Sequence, residues 1–257
     1  MQQSEEKLPR LITMSISHYC EKARWALERW KIPYIEECHV SLIHRLATSR
    51  VGGKSVPVLV TEEGTFTDSS DILHYVERTT TATSKLYPKD TQLRREVEKI
   101  VDLFDSLLGP CTRVWFYYYL LDDRDLMVKL FCQGVEAIEQ ELFPILFPSI
   151  KEAMRRGLNV TAESADKSYE KINSIFEIVN GMLADRRSFL VGDSFSAADL
   201  TFACLSAPVL LPAEYSVKLP QLDEMPEEMA KAIKLFRETS AGNYALRLFR
   251  EERFRGG

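Results

Sequence analysis

The sequence SHYCEKARWALER, residues 17–29, directly follows a short apolar segment at 11–14. Apolar residues within it and just after it recur at helical spacing, at Cys20, Ala23, Leu27 and Trp30. This pattern predicts a strand that leads into an amphipathic helix, which Pro33 ends. A redox protein would place cysteine at both Ser17 and Cys20, but here the first of these positions is a serine.

Ser17 and Cys20 each have two interpretations. The free N–H groups and the positive dipole end of a helix N-terminus stabilise a thiolate or another anion. A hydroxyl at Ser17 is placed to support such a charge, or it serves only as the N-cap that serine favours. Cys20 lies on the apolar stripe, so we expect it to pack inward as a small apolar residue rather than to act as a nucleophile.

The composition favours a soluble protein with a sizeable core. Of the 257 residues, 45% are hydrophobic and 28% charged, and a net charge of −5 with scattered basic residues argues against a nucleic-acid partner. There is no signal-peptide pattern at 1–7 and no apolar run of the roughly 18 residues that a membrane helix needs. The five cysteines lack metal-like spacing, so we expect no metal site and a reduced, cytoplasmic protein without a membrane partner.

Two regions of the chain differ in periodicity. Residues 8–80 alternate in the order β-α-β-(α)-β-β-α, which predicts a small α/β domain. A polar segment at 79–88 that ends in proline is typical of a linker. Residues 89–257 predict an all-α domain, with an apolar helix stripe from 97 to 118 that Gly109-Pro110 should kink. Further helical stretches are predicted at 126–156, 168–183, 199–211 and 226–253.

Two other motifs of the first region have the chemistry of a peptide-binding site. Pro57 follows Lys54-Ser55-Val56 at a strand start, where proline indicates a sheet edge or a cis turn. A cis bond would leave the backbone N–H and C=O of Val56 free for a peptide-like ligand, whereas a trans bond is the commoner case. Asp68-Ser69 is a helix cap as a bare pattern. It also brings a carboxylate, a hydroxyl and helix N–H groups together, which could hold an α-amino acid head group.

These motifs, in this order and with an all-helical region behind them, resemble the glutathione transferase superfamily and its thioredoxin-like first domain. Ser17–Cys20 matches the position of the active cysteine motif in glutaredoxins and omega-like transferases, and residues 21–27 continue the helix in the family style. Lys54–Pro57 is similar to the family's Lys-Val-Pro segment, with Ser55 as an added residue. Asp68-Ser69 is similar to the acid–serine pair that grips the γ-glutamyl end of glutathione.

The second region carries an independent resemblance. Residues 189–193 (FLVGD) followed by 196–199 (SAAD) resemble the family's helix-capping box, in which the serine caps the helix and the aspartate bonds back to it. The stretch near 120–165 is longer than the family's usual path, so we expect an extra helical insert there, interrupted or bent at Pro144 and Pro148. The two domains are therefore expected at 8–80 and 89–257.

The resemblance implies that glutathione is the co-substrate and that it binds along the first domain. It assigns the glycyl carboxylate to Lys54, the cysteinyl backbone to Val56-Pro57 and the γ-glutamyl end to Asp68-Ser69. Ser17 would donate a hydrogen bond to the glutathione sulfur, which stabilises the thiolate and lowers the pKa of the thiol. Ser15 is the nearest competitor for this role.

The serine at position 17 separates the enzyme classes that the resemblance allows. Serine cannot form a mixed disulfide, so we expect conjugation of glutathione to small hydrophobic electrophiles, or peroxide reduction, in a detoxification role. The alternatives are a thiol transferase or dehydroascorbate reductase that uses Cys20, and a non-catalytic glutathione- or ligand-binding module.

The electrophile pocket is expected on the helix that follows the linker, and the family implies a homodimer. Trp115 and Tyr118 fall on the core stripe of that helix, so residues on its other faces are the better candidates. The candidates for this pocket are Arg113, Phe116, Tyr117 and Tyr119.

Overall fold

Four short strands form the sheet of the first domain: β1 (Arg10–Thr13), β2 (Ile35–Cys38), β3 (Val58–Thr61) and β4 (Gly64–Phe66). The computed structural model describes residues 7–256. The strand order is β2-β1-β3-β4, in which β1 runs parallel to β2 and antiparallel to β3, and β3 pairs antiparallel with β4. Leu11 and Ile12 of β1 are fully buried, so the central strand contributes to the core on both faces of the sheet.

Three helices complete this domain: α1 (His18–Arg29), α2 (His44–Ser49) and α3 (Ser69–Thr79). The predicted order β-α-β-α-β-β-α is confirmed. The apolar stripe of α1, which includes Ala23 and Leu27, is fully buried. α1 packs against α3 and also against the helices of the second domain, so the helix predicted first from the sequence belongs to both cores.

The second domain is helical: α4 (Thr91–Leu103), α5 (Gly109–Leu120), α6 (Arg124–Phe131), α7 (Ala137–Gly157), α8 (Ala162–Met182), α9 (Ala197–Leu210), α10 (Glu227–Glu238) and α11 (Ser240–Glu252). The predicted fold class, a thioredoxin-like domain followed by an all-α domain, is confirmed. Within residues 7–256, no helix combines the length and the apolar character needed to cross a membrane.

The stretch predicted as one helix at 126–156 consists of two helices, α6 and α7. The turn between them contains Gly134, whose φ of 70° favours glycine. α7 continues through Pro144 and Pro148, so of the predicted interruption or bend the interruption is absent. The buried side chains of this helix, which hold it against the core, are Glu139, Phe143, Phe147, Ile150 and Met154.

A π-helical turn at Phe104–Leu108 joins α4 to α5 at the point where Gly109-Pro110 predicted a kink. The apolar stripe stays buried through Cys111 and Trp115, but Tyr118, predicted to be in the core, is 38% exposed near the end of α5. A Cβ atom on Gly109 would collide with the hydroxyl and ring of Tyr19, so a glycine here lets α1 and α5 approach this closely.

The cap of α9 confirms the predicted capping box. The carboxylate of Asp199 accepts hydrogen bonds from the N–H groups of Ser196 and Leu190 at 2.7 and 2.8 Å, and from the hydroxyl of Tyr244. Asp199 is fully buried, so these donors replace the water that its carboxylate loses on folding. The box thereby connects α9 to the preceding loop and to α11.

Candidate functional site

A cleft of about 190 Å³ opens beside the N-terminus of α1. Its first-domain wall comes from the β1–α1 turn, α2 and the segment before β3, and its second-domain wall comes from α5, α7 and the end of α9. The cleft therefore lies where the two domains meet, and its lining includes the residues that the sequence singled out in each of them.

Ser17 lies in this cleft as the N-cap of α1. Its Oγ accepts a hydrogen bond from the backbone N–H of Cys20 at 3.3 Å, and the hydroxyl also lies near the Cys20 thiol, but among residues 7–256 its O–H donates no hydrogen bond of normal geometry and can therefore turn to a ligand. The side chain is 8% exposed. Ser15, the predicted competitor, is fully buried, and its hydroxyl donates to the carbonyls of Leu130 and Phe131 at 2.8 and 3.2 Å. Ser15 thus anchors the end of α6.

Cys20 packs inward, as its place on the apolar stripe predicted. Its side chain is fully buried. Burial raises the pKa of the Cys20 thiol to about 11, which outweighs the smaller lowering by Arg24 and by the Ser17 hydroxyl. A thiol with this pKa is protonated at pH 7, so it is a poor nucleophile.

His18 and Tyr19 also line the cleft, but their polar atoms are already engaged. Burial, together with a smaller effect of the Arg113 guanidinium, lowers the pKa of His18 to about 3. The ring is therefore neutral, and its Nε2 donates to the carbonyl of Gly109 at 3.0 Å. The Tyr19 hydroxyl donates to the carbonyl of Asp105 at 2.8 Å, so this phenol is not a free donor toward the cleft.

The segment before β3 supplies a backbone edge to the cleft. Lys54 and Ser55 are exposed, Val56 is half-buried, and all three line the cleft. The Val56–Pro57 bond is cis, the geometry that the sequence left open. No other residue within 7–256 forms a backbone hydrogen bond with the N–H or C=O of Val56. A peptide-like ligand can therefore pair with Val56.

Asp68 and Ser69 lie at the N-terminus of α3, outside the lining of this cleft. Asp68 is exposed, and one of its carboxylate oxygens caps the helix by accepting from the N–H of Ser70 at 2.8 Å. Its charge acts on Tyr19, which does line the cleft. The buried ammonium of Lys22 connects α1 to this region, because it donates to Ser70 at 2.9 Å and to Asp105 at 2.7 Å.

The second-domain wall contains three of the four predicted pocket residues. Arg113, Phe116 and Tyr117 of α5 line the cleft. Tyr119 does not. It lies in a separate surface crevice beside Trp115.

Sequence reasoning missed the part of the wall that comes from distant segments. Met154 and Leu158, from the end of α7 and the residue after it, and Leu211, after α9, line the cleft. Tyr215 also lines it, and its hydroxyl donates to the carbonyl of Ile16 at 3.2 Å. These are ordinary core residue types without a local motif, so only the packing of the helices identifies them.

Two family profiles match this chain. The profile of the glutathione S-transferase N-terminal domain matches residues 11–84, and that of the glutathione S-transferase C-terminal domain matches 136–239. Together they span more than half of the chain. The chain belongs to the glutathione transferase superfamily. A search of curated proteins finds no match.

Solved structures of glutathione transferases share this fold at low sequence identity. A glutathione S-transferase from Rhodospirillum rubrum is 21% identical with a TM-score of 0.54, and the match covers 95% of this chain and 93% of that one. A possible glutathione S-transferase from Rhodopseudomonas palustris is 16% identical with a TM-score of 0.58, at 95% and 94% coverage. A glutathione S-transferase from Methylobacillus flagellatus with glutathione bound is 16% identical with a TM-score of 0.52, at 92% and 98% coverage.

Proposed function

We propose that this glutathione transferase superfamily member conjugates glutathione to small hydrophobic electrophiles, with Ser17 as the residue that activates the thiol. The observation that carries the proposal is the Ser17 hydroxyl, a spare O–H donor at a helix N-terminus in the wall of an interdomain cleft. A glutathione-bound structure among the chain's structural relatives supports glutathione as the ligand.

Binding of glutathione would use the groups that the fold leaves available. The free N–H and C=O of Val56 suit the cysteinyl backbone, and the exposed ammonium of Lys54 suits the glycyl carboxylate. Asp68 and Ser69 would hold the γ-glutamyl end from beyond the cleft, at the N-terminus of α3. We also keep the homodimer expected from the family as part of the proposal.

The chemistry follows from the position of Ser17. Its O–H and the positive end of α1 both stabilise a negative charge on a sulfur placed next to them, so the bound thiol ionises more easily. The thiolate then forms a C–S bond to the electrophile, and the leaving group departs with the electron pair of its own bond. The same thiolate would attack a peroxide oxygen, which breaks the O–O bond, releases an alcohol and leaves a glutathione sulfenic acid that a second glutathione converts to the disulfide and water. Phe116 and Tyr117 give the cleft the apolar wall that an aromatic electrophile needs.

The rival thiol transferase mechanism requires a reactive Cys20, and the burial and high pKa of that thiol argue against it. Two variants separate the rivals. One hydrogen bond to a charged group contributes about 1.5–3 kcal/mol. Ser17→Ala should therefore raise the pKa of the bound glutathione thiol by about 1 to 2 units and lower kcat/KM for chlorodinitrobenzene. Cys20→Ala should change neither.

The measurements are glutathione affinity by calorimetry, thiolate absorbance against pH, and turnover with chlorodinitrobenzene and with hydroxyethyl disulfide. Disulfide reduction that Cys20→Ala abolishes and Ser17→Ala spares would overturn the assignment. Glutathione binding without turnover of any electrophile or peroxide would instead identify a binding module.

A further inference from the structure

Arg113 of α5 differs from the other deeply placed arginines of the chain. Arg24, Arg29 and Arg253 all form ion pairs with carboxylates at 2.7 to 2.9 Å. Arg113 Nε is buried and lacks a hydrogen-bond partner among residues 7–256, as Arg29 Nε also does, but Arg113, unlike Arg29, forms no ion pair with any carboxylate of those residues. A buried guanidinium N–H without a partner is costly, so this group is poised for an acceptor from outside the chain.

The surroundings of Arg113 do not compensate its charge. Of the groups that face it, His18 is neutral at pH 7, and Tyr19 and Tyr117 have pKa values above their usual range because they are buried. The residues of the described chain that line the cleft include no Asp or Glu, although they include Arg45 and Lys54. The cleft is therefore cationic within a chain of net charge −5.

Glutathione, as proposed above, would use the positive charge on the first-domain wall, where Lys54 and the N-terminus of α1 lie. Arg113 lies on the opposite wall, one helical turn from Phe116 and Tyr117. An aromatic ring that packs on these side chains places its substituents within reach of the guanidinium. Arg binds carboxylate and sulfonate oxygens through a planar, bidentate fork, which gives direction as well as charge.

We propose that Arg113 selects electrophiles that carry an anionic oxygen group, a carboxylate or a sulfonate, on an aromatic ring. The inference rests on the proposed function and assigns the acceptor class of the same cleft. Arg113 is a specificity-determining residue in this assignment: it binds the acceptor and takes no part in ionising the glutathione thiol.

A matched pair of acceptors tests the assignment during turnover: a chlorodinitrobenzoate and its neutral methyl ester. Arg113→Gln should lower kcat/KM for the benzoate by about 10- to 100-fold, as expected for a lost charge-assisted hydrogen bond, and change the value for the ester by less than about threefold. Arg113→Lys should keep part of the preference, because it keeps the charge without the fork. Arg156→Gln is the matched control, since it removes an exposed arginine of α7 outside the lining of the cleft.

A second pair of probes tests Arg113 without glutathione. Anilinonaphthalene sulfonate and phenylnaphthylamine differ by one sulfonate, and the fluorescence of both rises on binding to an apolar site. Arg113→Gln should weaken binding of the sulfonate alone by about 10-fold or more, while Arg156→Gln should change neither dye. This result stands even if the protein binds no glutathione, so failure of the proposed function is recognised separately.

Two results would overturn the assignment. One is that Arg113→Gln changes kcat/KM or dye binding equally for the charged and the neutral member of each pair, or changes neither. The other is a loss of turnover with both acceptors together with a raised pKa of the bound glutathione thiol, which would place Arg113 at the sulfur instead of the acceptor.

Discussion

The two ends of α1 satisfy their polar groups in opposite ways. At the N-terminal end, Ser17 uses an acceptor lone pair, and within residues 7–256 neither its O–H nor Arg113 Nε in the same cleft has a hydrogen-bond partner of normal geometry. Toward the C-terminal end, the charges are paired within the chain. Arg29 binds the carboxylate of Glu252 at 2.9 Å, and Arg253 binds Glu28 at 2.6 Å and also reaches back to Glu21 in the first turn of α1.

The ion pairs Arg29–Glu252 and Arg253–Glu21, called the clamp below, stabilise the fold, whereas the cleft is the candidate ligand site. A charge taken out of water needs a partner, and toward its C-terminal end α1 finds these partners in the tail that follows α11 and in the last residue of α11 itself. Around the cleft the chain supplies fewer partners than it has donors. Arg29 and Arg253 each have a carboxylate partner even though single atoms such as Arg29 Nε stay unpaired among residues 7–256, whereas Arg113 forms no ion pair with those residues, which indicates that a ligand completes the cleft.

Breaking the clamp should have the largest effect on stability. Both side chains of the Arg253–Glu21 pair are fully buried, and Arg253 also binds Glu28 at 2.6 Å. Arg253→Ala leaves the Glu21 carboxylate buried beside a cavity, so we expect a loss of about 3–5 kcal/mol in the free energy of unfolding. Denaturant titration of the variant and the parent measures this difference.

A surface pair provides the control for this clamp. Lys231→Ala removes the partner of Glu227 where both side chains are exposed, so it should cost less than about 1 kcal/mol. Replacing both members of the clamp, with Arg253→Met and Glu21→Leu, should recover much of the loss because no buried charge is then left alone. A loss below about 1 kcal/mol for Arg253→Ala would remove the distinction between the two ends of α1.

Local chemistry accounts for what could be predicted from the sequence. The stripe of α1, the serine at its cap and the box of Asp199 at α9 depend on residues three or four apart, and the structure contains all of them. The pocket residues of α5 were only partly predicted. Periodicity predicts the buried positions through Trp115, but it does not show which exposed positions of α5 meet the first domain, so Tyr118 is exposed and Tyr119 lies in a separate crevice.

The remaining parts of the site depend on contacts between residues far apart in the sequence. Tyr215 reaches the carbonyl of Ile16 beside Ser17, and no pattern near either residue predicts that meeting. The free hydroxyl of Ser17 and the occupied hydroxyl of Ser15 are likewise distinguished only by the carbonyls of α6 that Ser15 meets. Two serines two positions apart look equivalent in the sequence and differ in the fold.

A smaller effect on stability is expected at Cys20, which lies one turn inside the cleft end of α1 but packs in the core. Cys20→Ala should cost about 1 kcal/mol of stability, the typical loss for a point substitution. In the native protein at neutral pH, a thiol reagent should modify Cys20 much more slowly than in the unfolded chain, since the thiol is buried and protonated. Peptide mapping by mass spectrometry measures the rate. Modification of native Cys20 as fast as that of the half-buried Cys38 would mean that the cleft end of α1 opens.

The smallest effect concerns His39, which joins the first domain to α7. Its Nδ1 lies 2.6 Å from Glu139 and its Nε2 lies 3.0 Å from Glu37, which also pairs with Arg10. Burial lowers the pKa of His39, but the hydrogen bonds to Glu139 and Glu37 outweigh it, so the pKa is raised in the folded protein. Glu139 also accepts from the backbone N–H of Val40 at 2.8 Å, so removing the imidazole leaves this carboxylate partly satisfied.

A raised pKa in the folded state sets the direction of the pH dependence. The stabilisation by protonated His39 is fully present below its unfolded pKa of about 6.5, and it is lost as the pH rises through the folded value. The difference in Tm between the parent and His39→Gln should therefore be largest near pH 6 and shrink steadily toward pH 9. Thermal unfolding at fixed ionic strength measures it. A difference that stays constant across this range would mean that His39 is neutral in the folded protein and that its contacts with the two carboxylates add no charge-dependent stability.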